Sequence, residues 1–474
     1  MDKLKIFLLA LFAIFSIAAF QPSTSELLQI TILYTNDEHG WMESNDDGGG
    51  AAEMLGLWQT LPGFGENTLI LSGGDMWTGP DVSTWHEGES MVEVMNAMGY
   101  SAAAVGNHEF DFGADVLTLR AQESSFPFLS SNLIDRETGN IPEFVKPYTL
   151  IEFNGVNIGI IGLSLIETPA VAHPRHVAQF EFLPYRDALT AAVPELKAQG
   201  AELLLVISHV CLNALQALVS LVAELEIAML GGGHCNEFSA TVDEGVAVVS
   251  GGSSLRSYAQ VELTLDAETH QLTDIDTSTH LNMGNTPDPQ VAEIVTRWRA
   301  LTDEALSEVI GYTENGLAHR SNVLMNLLTD AWLVAFPSAD VAMTNQGGFR
   351  QEIPAGPITR GDVLGVLPFD NNIVEVTLTG QQLIDNIRCC NPAVGGITTI
   401  GTPRFPDGTF IDRDATYNAL VTDFMFEGGS GYRFPQDQGV DTNINWRVPL
   451  IDLLLTLNTT PENPLENHLD TTPR

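Results

Sequence analysis

Lysine is scarce in this chain, and basic residues are few in general. Only four of the 474 residues are lysines, and 20 Lys and Arg residues face 61 Asp and Glu residues, so the formal net charge is −41. A field of this sign repels nucleic-acid polymers and anionic membrane surfaces. It excludes both as general electrostatic partners. Any anionic substrate must therefore be captured locally, by metal ions or by individual arginines.

Cysteine and long apolar runs are also sparse. The four cysteines are Cys211, Cys235 and the adjacent pair Cys389 and Cys390, and a chain of this length does not need a disulfide framework to fold. Beyond the N-terminus, no apolar run reaches the roughly 20 residues that cross a bilayer comfortably. We therefore expect no membrane-spanning segment in that part of the chain.

Residues 1–20 have the pattern of a secretory signal peptide. A basic start with Lys3 and Lys5 leads into an apolar stretch over 6–20 that contains small residues. An uncleaved membrane anchor is the alternative, although the stretch is short for a transmembrane helix. The N-terminus predicts a secreted protein, periplasmic or extracellular, without membrane attachment once the signal peptide is removed.

The chain is longer than a single hydrophobic core usually supports, which predicts two domains. In its first part, apolar runs typical of buried strands alternate with helical patterns, as expected for an α/β fold. The predicted strands cover 28–34, 68–72, 100–105, 149–153, 156–163, 202–208, 227–230, 246–250 and 259–265. Helical patterns cover 50–60 and 89–98, and Asn154-Gly155 predicts a hairpin turn.

An amphipathic helix predicted over 288–307 connects this part to a second, smaller unit. Helices over 322–336 and 380–388 and strands over 341–344 and 373–378 are predicted in the second unit. The residues after 457 are polar and contain three prolines, which predicts a loose tail.

Polar side chains follow the ends of the predicted strands, where α/β sheets place their chemistry. These residues are Asp37, His39, Asp75, Asn107, His209, His234 and Asn236. Their oxygen and nitrogen donors suit divalent Mn, Zn, Co or Fe, and they are too many for one ion. We predict two ions bridged by Asp75. Asp37, His39 and Asn236 would complete one site, and Asn107, His209 and His234 the other.

Two such ions activate water near neutral pH and stabilise an in-line phosphoryl displacement, which predicts hydrolysis of a phosphate ester. The loop that contains Asn107 also carries His108, whose imidazole Asp111 could orient. A loop whose side chains only cap the next turn is the alternative for this stretch. Convergence of His209 and His234 would also bring Cys211 near Cys235. A disulfide and a pair of small buried residues are both compatible with that placement.

Several of these motifs resemble known families. The ordered signature of calcineurin-like metallophosphoesterases is similar to Asp37-x-His39, Gly74-Asp75, Gly106-Asn107-His108-Glu109, His209 and Gly233-His234-x-Asn236. Residues 34–40 and 106–113 resemble the secreted 5'-nucleotidase family, and the resemblance extends over 28–456. Five separated motifs in the right order are a specific signal.

The resemblance implies a four-layer α/β/β/α metallophosphoesterase domain over 28–283. A connecting helix over 284–311, a smaller α+β substrate-binding domain over 312–456 and a polar tail over 457–474 would follow. It also implies that His108 assists the reaction without binding metal, and that Asp111 holds it. The other histidines, His86, His173, His176, His270, His280 and His468, are interpreted as surface or helix residues.

The second unit resembles the substrate-binding domain of the same family. The resemblance implies that the turn from Asn345 to Arg350 binds a phosphate or carboxylate through Arg350. Phe369 and Phe424 would then sandwich a flat base. Both roles are chemically reasonable, since guanidinium groups pair with phosphate and aromatic rings stack on nucleobases.

Two departures from the family pattern concern the substrate. Ser430 stands where family members commonly carry an Asp that holds ribose hydroxyls, and residues 316–322 lack a clear match to a second phosphate-binding Arg, which His319 or Arg320 could replace. We predict a secreted metal-dependent phosphohydrolase of 5'-nucleotides, with nucleotide sugars and cyclic nucleotides as further candidate substrates. The alternatives are a hydrolase of a non-nucleotide phosphoester or thiosulfonate-type anion, and a non-catalytic metal-binding surface protein.

Overall fold

A computed structural model describes residues 26–45 and 48–474 of the chain. The predicted signal peptide over 1–20 lies outside these residues. Within them, no helix combines the length and the apolar character needed to cross a membrane.

The first unit consists of two β-sheets with helices on their outer faces. Its elements, in chain order, are β1 (Leu27–Thr35), α1 (Ala51–Trp58), β2 (Thr68–Ser72), α2 (Asp81–Thr84), α3 (Glu89–Met98), β3 (Ala102–Ala104), α4 (Gly113–Glu123), β4 (Phe128–Leu129), β5 (Leu133–Asp135), β6 (Tyr148–Phe153), β7 (Val156–Leu163), α5 (Thr168–Val171), α6 (Pro174–Val177), β8 (Phe180–Phe182), α7 (Tyr185–Ala198), β9 (Leu203–Ser208), α8 (Leu212–Gln216), α9 (Val219–Glu224), β10 (Ile227–Gly231), β11 (Phe238–Asp243), β12 (Val246–Gly251), β13 (Ser257–Asp266), β14 (Leu272–Leu281) and α10 (Pro289–Leu306).

Each of the two large sheets has six strands. One has the order β14-β13-β1-β2-β3-β4 and the other the order β11-β12-β10-β9-β7-β6. Strands β1 to β4 run parallel to one another, as do β7, β9, β10 and β12. Their carboxyl ends therefore share one edge in each sheet, and the loops that follow them can meet there.

The side chains of β1 show how the layers form. Ile30, Ile32 and Tyr34 are buried in the apolar layer between the sheets, whereas Leu33 packs on the other face with residues of α1 and α3. A strand buried on both faces reads as a nearly continuous apolar run, which is why the sequence reveals it. Helices α7 to α9 cover the second sheet, so the predicted four-layer α/β/β/α arrangement is confirmed.

The second unit is built around a five-stranded sheet with the order β19-β16-β20-β18-β21. Its elements are β15 (Val309–Thr313), α11 (Asn322–Ala335), β16 (Val341–Thr344), β17 (Gly356–Thr359), α12 (Arg360–Val366), β18 (Asn372–Thr379), α13 (Gly380–Cys390), β19 (Ala393–Gly395), β20 (Thr416–Thr422), α14 (Asp423–Phe426), β21 (Gly439–Asn445) and α15 (Val448–Leu457). Apolar clusters lie on both faces of this sheet.

The helix predicted over 288–307 is present as α10. The Asp288 carboxylate caps its first turn by accepting hydrogen bonds from two backbone N–H groups. Trp298 is buried and donates to Glu93 of α3, and Arg299 pairs with Asp81 of α2. The connecting helix thus packs against the helical layer of the first unit.

The prediction of a loose tail is wrong. Leu465 is fully buried in the core of the second unit. The Glu466 carboxylate accepts hydrogen bonds from the Thr313 hydroxyl and the Asn315 N–H, both at 2.8 Å. Arg474 pairs with Asp330 at 2.6 Å. The polar composition of the tail conceals one apolar anchor and several specific hydrogen bonds.

We expect Leu465→Ala to lower the free energy of unfolding by about 2–5 kcal/mol, the usual cost of a cavity in a packed core. Leu455→Ala on α15 is the matched control, because Leu455 is 42% exposed and its truncation should cost far less. Urea denaturation of both variants measures the difference. Equal destabilisation by the two changes would mean that Leu465 does not anchor the tail.

Candidate active site

The loops after β2 and β9 bring the two large sheets into direct polar contact. Nε2 of His209 lies 2.9 Å from Oδ2 of Asp75, and Nδ1 of His209 lies 2.9 Å from the carbonyl oxygen of Gly73. A carbonyl oxygen can only accept a hydrogen bond, so Nδ1 carries a proton and Nε2 faces the carboxylate. Metal-ligating imidazoles commonly have their second nitrogen anchored in this way.

Asp75 lies at the centre of a larger group. His39, Asp75 and His108 offer ligand atoms within 4.8 Å of one another, and so do Asp75, His209 and His234. Asp75 thus belongs to both groups, which is the position that a bridging carboxylate requires. Asp37 joins the first group, with its Oδ1 3.8 Å from Nε2 of His39.

The backbone at the candidate ligands is strained. Five of the seven have φ between 48° and 70°, a region that residues other than glycine rarely adopt: Asp37, His39, Asp75, His234 and Asn236. Such conformations cost on the order of 1–3 kcal/mol each and concentrate at functional sites. The surrounding fold therefore holds the backbone of these residues in a conformation that is locally unfavourable.

The donor set fits divalent metal ions. Within the described part of the chain, Oδ1 of Asp37 and Oδ1 of Asn107 are buried oxygens without a hydrogen-bond partner. Leaving such atoms unpaired is costly, and both belong to residues that the sequence predicts as ligands. Together with the imidazoles they form the mixed oxygen and nitrogen set that Mn, Zn, Co and Fe accept.

Burial and mutual charge set the protonation of this group. Burial opposes ionisation of Asp75, but the charges of His209 and His108 hold its pKa well below the usual range. Burial would lower the pKa of His209, yet Asp75 raises it to about 10. Burial lowers the pKa of His234 to about 4 and raises that of Asp37 to about 6. His234 is therefore neutral near pH 7, the form in which an imidazole binds a metal.

Glu109, to which the sequence assigns no role, joins two of the loops. Its buried carboxylate accepts hydrogen bonds from the N–H groups of Gly106 at 2.6 Å, Asp75 at 2.8 Å and Met76 at 2.7 Å. Burial raises its pKa to about 8. Since one of these bonds is made by Asp75 itself, Glu109 fixes the backbone that carries the central carboxylate.

His108 is placed beside the metal-ligand group and is held by Asp111. Its Nδ1 lies 2.8 Å from Oδ2 of Asp111, and its backbone N–H donates to Oδ1 of Asp75 at 2.8 Å. Burial would lower the pKa of His108, but the carboxylates of Asp111 and Asp75 raise it. The imidazole is thus favoured in its protonated form, able to donate from Nε2.

Arg350 of the second unit reaches the same group. Its Nη2 lies 3.2 Å from Nε2 of His39, and its guanidinium lies 5.9 Å from the ring centre of Phe369. The Phe369 ring in turn stacks on His108 with 5.6 Å between centroids. The side chains predicted for phosphate, base and proton transfer therefore occupy one space.

That space is a cavity of about 230 Å³ between the two units. It is lined by Asn107, His108, Asp111, Val171, His173, His176, His234, Asn345, Gly347, Arg350, Phe369, Asp370, Asn371, Phe424 and Ser430. All five residues predicted to bind substrate are among them, and the candidate metal ligands Asn107 and His234 lie at the same cavity.

Comparisons with known proteins agree with this arrangement. Residues 308–389 match the 5'-nucleotidase C-terminal domain. The chain is 26% identical to the 5'-nucleotidase of Vibrio cholerae, over 87% of each chain, and 26% identical to Protein UshA of Salmonella pullorum, over 90% of each chain. The chain is therefore similar to 5'-nucleotidases over most of its length.

Solved structures share the fold of this chain. The 5'-nucleotidase precursor from Thermus thermophilus has a TM-score of 0.78 and 24% identity, with 91% of this chain and 97% of that chain covered. Sulfate thiohydrolase SoxB from the same species has a TM-score of 0.70 and 16% identity, with 91% and 94% covered. At these identities the likeness establishes the architecture.

Two histidines have a position that the sequence interpretation does not include. His176 lies on α6 and His173 caps it, in agreement with the expected surface or helix residues, but both also line the cavity. Their rings stack with 4.9 Å between centroids, and Nδ1 of His176 lies 3.0 Å from the Phe110 carbonyl oxygen. No apolar strand precedes them, so the signal that identified the other site residues is absent here.

Other predicted positions are less closely tied to the site. Asn236 is exposed, and no hydrogen bond within the described ranges joins it to the other candidate ligands. His319 and Arg320 both contact the carbonyl oxygen of Phe349, at 2.9 and 3.3 Å. They therefore support the turn that carries Arg350, and neither lines the cavity.

The cysteines form two disulfides. Cys211 is bonded to Cys235, so of the two alternatives that the sequence left open, the structure contains the disulfide. This bond joins the loop that follows His209 to the loop that follows His234. The second disulfide joins the adjacent residues Cys389 and Cys390 at the end of α13.

Glu109→Gln tests the link between the two loops. A glutamine has one acceptor oxygen, and its NH₂ group would face a backbone N–H, so at least one buried donor would lose its partner at a cost of about 1–3 kcal/mol. We expect lower stability and weaker Mn²⁺ binding, measured by urea denaturation and calorimetric titration. Glu137→Gln, at an exposed position, should change neither, and unaltered metal binding in Glu109→Gln would contradict the assigned role.

Proposed function

We propose that this chain is an extracytoplasmic dinuclear-metal phosphohydrolase that releases phosphate from 5'-nucleotides. Its family relatives support a phosphomonoester hydrolase acting on nucleotides. The observation that carries the proposal is one cavity lined by the candidate metal ligands Asn107 and His234, by His108 and Arg350, and by the rings of Phe369 and Phe424. Nucleotide sugars and cyclic nucleotides are further candidate substrates, since they share the phosphate and the base.

In this proposal Asp37, His39, Asp75 and Asn236 would hold one divalent ion, and Asp75, Asn107, His209 and His234 would hold the other. Divalent ions bound there would supply an activated water and neutralise negative charge on the phosphate. The mixed donor set is compatible with Mn, Zn, Co or Fe.

Protein side chains bind the phosphate, donate a proton and stack on the base. Arg350 pairs with the phosphate, where a planar guanidinium can make two parallel hydrogen bonds. His108, whose pKa is raised by the neighbouring carboxylates of Asp111 and Asp75 against the effect of burial, donates to a phosphate oxygen or to the leaving group as charge develops. Phe369 and Phe424, which line the same cavity, stack on the base and orient the ester bond.

His108→Ala tests the assignment. The parent protein should hydrolyse AMP and an aryl phosphate when supplied with Mn²⁺, Co²⁺ or Zn²⁺, and should lose this activity after chelation. The variant should keep its metal but lose about 10²–10⁴-fold in kcat, the usual contribution of a positioned proton donor. Steady-state kinetics and elemental analysis measure the two quantities.

The exposed His468 provides the control, since His468→Ala should behave like the parent. A His108→Ala variant as active as the parent would refute the catalytic role. Hydrolysis of a thiosulfonate-type anion or a simple alkyl phosphate in preference to every nucleotide would favour the alternative substrates. Absence of all hydrolysis with every metal would favour a non-catalytic metal-binding protein.

Ser430→Asp tests the departure at the sugar end of the cavity. Ser430 has φ of 54°, a conformation that Asp and Asn tolerate better than most residues. A carboxylate would accept hydrogen bonds from ribose hydroxyls, and charged hydrogen bonds contribute about 1.5–3 kcal/mol. We expect KM for AMP to fall about tenfold, with no change for 2',3'-dideoxy-AMP. Ser430→Asn, similar in size but uncharged, should lower KM much less, and equal effects on both nucleotides would exclude ribose as the partner.

A further inference from the structure

The segment 168–177, which contains α5 and α6 of the first unit, reaches across the cavity to α14 of the second. Arg175 donates to Oε1 of Glu427 from Nε at 2.9 Å and from Nη2 at 2.5 Å. The same Nη2 lies 3.5 Å from Oδ2 of Asp423. One guanidinium of the first unit thus contacts two carboxylates of the second.

His173 adds a second contact between the units. Its Nδ1 accepts a hydrogen bond from the Arg175 N–H at 3.3 Å, and its Nε2 lies 3.5 Å from Oδ2 of Asp423. The ring also meets the Phe424 ring edge to face, with 6.3 Å between centroids. His173 therefore touches both a carboxylate and a side chain proposed to bind the base.

The carboxylates of Asp423 and Glu427 depend on these contacts for compensation of their negative charge. Asp423 is only 3% exposed, and a buried carboxylate is costly unless it is paired. Across residues 26–45 and 48–474, Arg175 is the cationic side chain within 4.0 Å of the Asp423 and Glu427 carboxylates, and the His173 imidazole lies beside both. Movement of α14 away from the first unit would leave both carboxylates without a cationic partner.

The contacts of Asp423 and Glu427 with the first unit can affect substrate binding, because both residues lie near cavity-lining residues in the sequence. Phe424 directly follows Asp423, and Ser430 lies three residues after Glu427, so each carboxylate is close in sequence to a residue that lines the cavity. We propose that His173 and Arg175 form an electrostatic latch that holds α14, and with it Phe424, over bound substrate. They are positioning residues, and they set substrate affinity while the chemical step at Asp75 and His108 proceeds independently of them.

Charge reversal with rescue tests the latch, and its substrate readout rests on the proposed function. Arg175→Glu should raise KM for AMP about tenfold with kcat within a factor of two, because charge repulsion replaces two charged hydrogen bonds to one carboxylate oxygen. Glu427→Arg alone should act similarly, and the double variant Arg175→Glu/Glu427→Arg should recover most of the lost affinity. Unchanged KM in both single variants, or no recovery in the double variant, would overturn the proposal.

Glycerol phosphate separates the latch from a general loss of structure, because it has a phosphate ester but no ring for Phe424. Its KM should change less than twofold in Arg175→Glu. The AMP effect should also shrink at 1 M NaCl, where the screening length falls to about 3 Å. Equal KM increases for both substrates would assign Arg175 to phosphate binding or folding instead.

The pair Lys197–Glu226, at 2.6 Å and exposed on both sides, offers a matched control on the same unit. Lys197→Glu and Glu226→Lys reverse equivalent charges away from the cavity and should leave KM unchanged. A rise in KM equal to that of Arg175→Glu would show that net charge alone is responsible.

Amide hydrogen exchange tests the latch without requiring enzymatic turnover of a substrate. Amides over 423–432 should exchange faster in Arg175→Glu than in the parent, and the double variant should restore their protection. Identical exchange in parent and Arg175→Glu would refute the latch even in an active enzyme. Faster exchange in a protein that hydrolyses no nucleotide would refute the proposed function and leave the latch standing.

Discussion

The contact between Asp75 and His209 is the interaction on which the site depends. It joins the carboxyl edge of one sheet to that of the other, so the same contact supports both the four-layer fold and the candidate metal centre. The neighbouring backbone is adapted to this carboxylate. A side chain at Gly106 would place Cβ 2.2 Å from Oδ1 of Asp75, and Glu109 binds the Asp75 N–H. Changes around Asp75 should therefore affect packing and metal affinity together.

The net charge of −41 makes the position of Arg350 more consequential. The chain as a whole repels anions, yet this guanidinium lies where the aromatic and imidazole rings of the cavity converge. Close contacts in the cavity must then outweigh the repulsion between the negatively charged protein and an anionic nucleotide. Salt screens this repulsion, so the electrostatic free-energy cost of bringing the nucleotide close falls as the salt concentration rises. Recognition depends on a few close contacts within the cavity.

Much of the first unit could be predicted from the sequence because its central parallel strands, such as β2, β9 and β10, are almost entirely buried. Their apolar runs mark them, and the Asp, His and Asn residues that follow mark the shared edge; 68–72 matches β2 in full. Contacts made only by tertiary structure could not be read in this way. His173 and His176 follow no strand, Glu109 acts through backbone N–H groups, and Leu465 is one apolar residue in a polar tail. Each depends on segments distant in sequence.

The disulfide between Cys211 and Cys235 influences the unfolded chain as well as the folded one. It closes a loop between residues 24 positions apart, with His209 just outside the loop and His234 just inside it. An oxidised, unfolded chain would keep these two imidazoles near each other and would retain some affinity for a divalent ion. Because a ligand stabilises a fold only through its preference for the folded state, oxidation should make metal capture easier while reducing the stability gained from the metal.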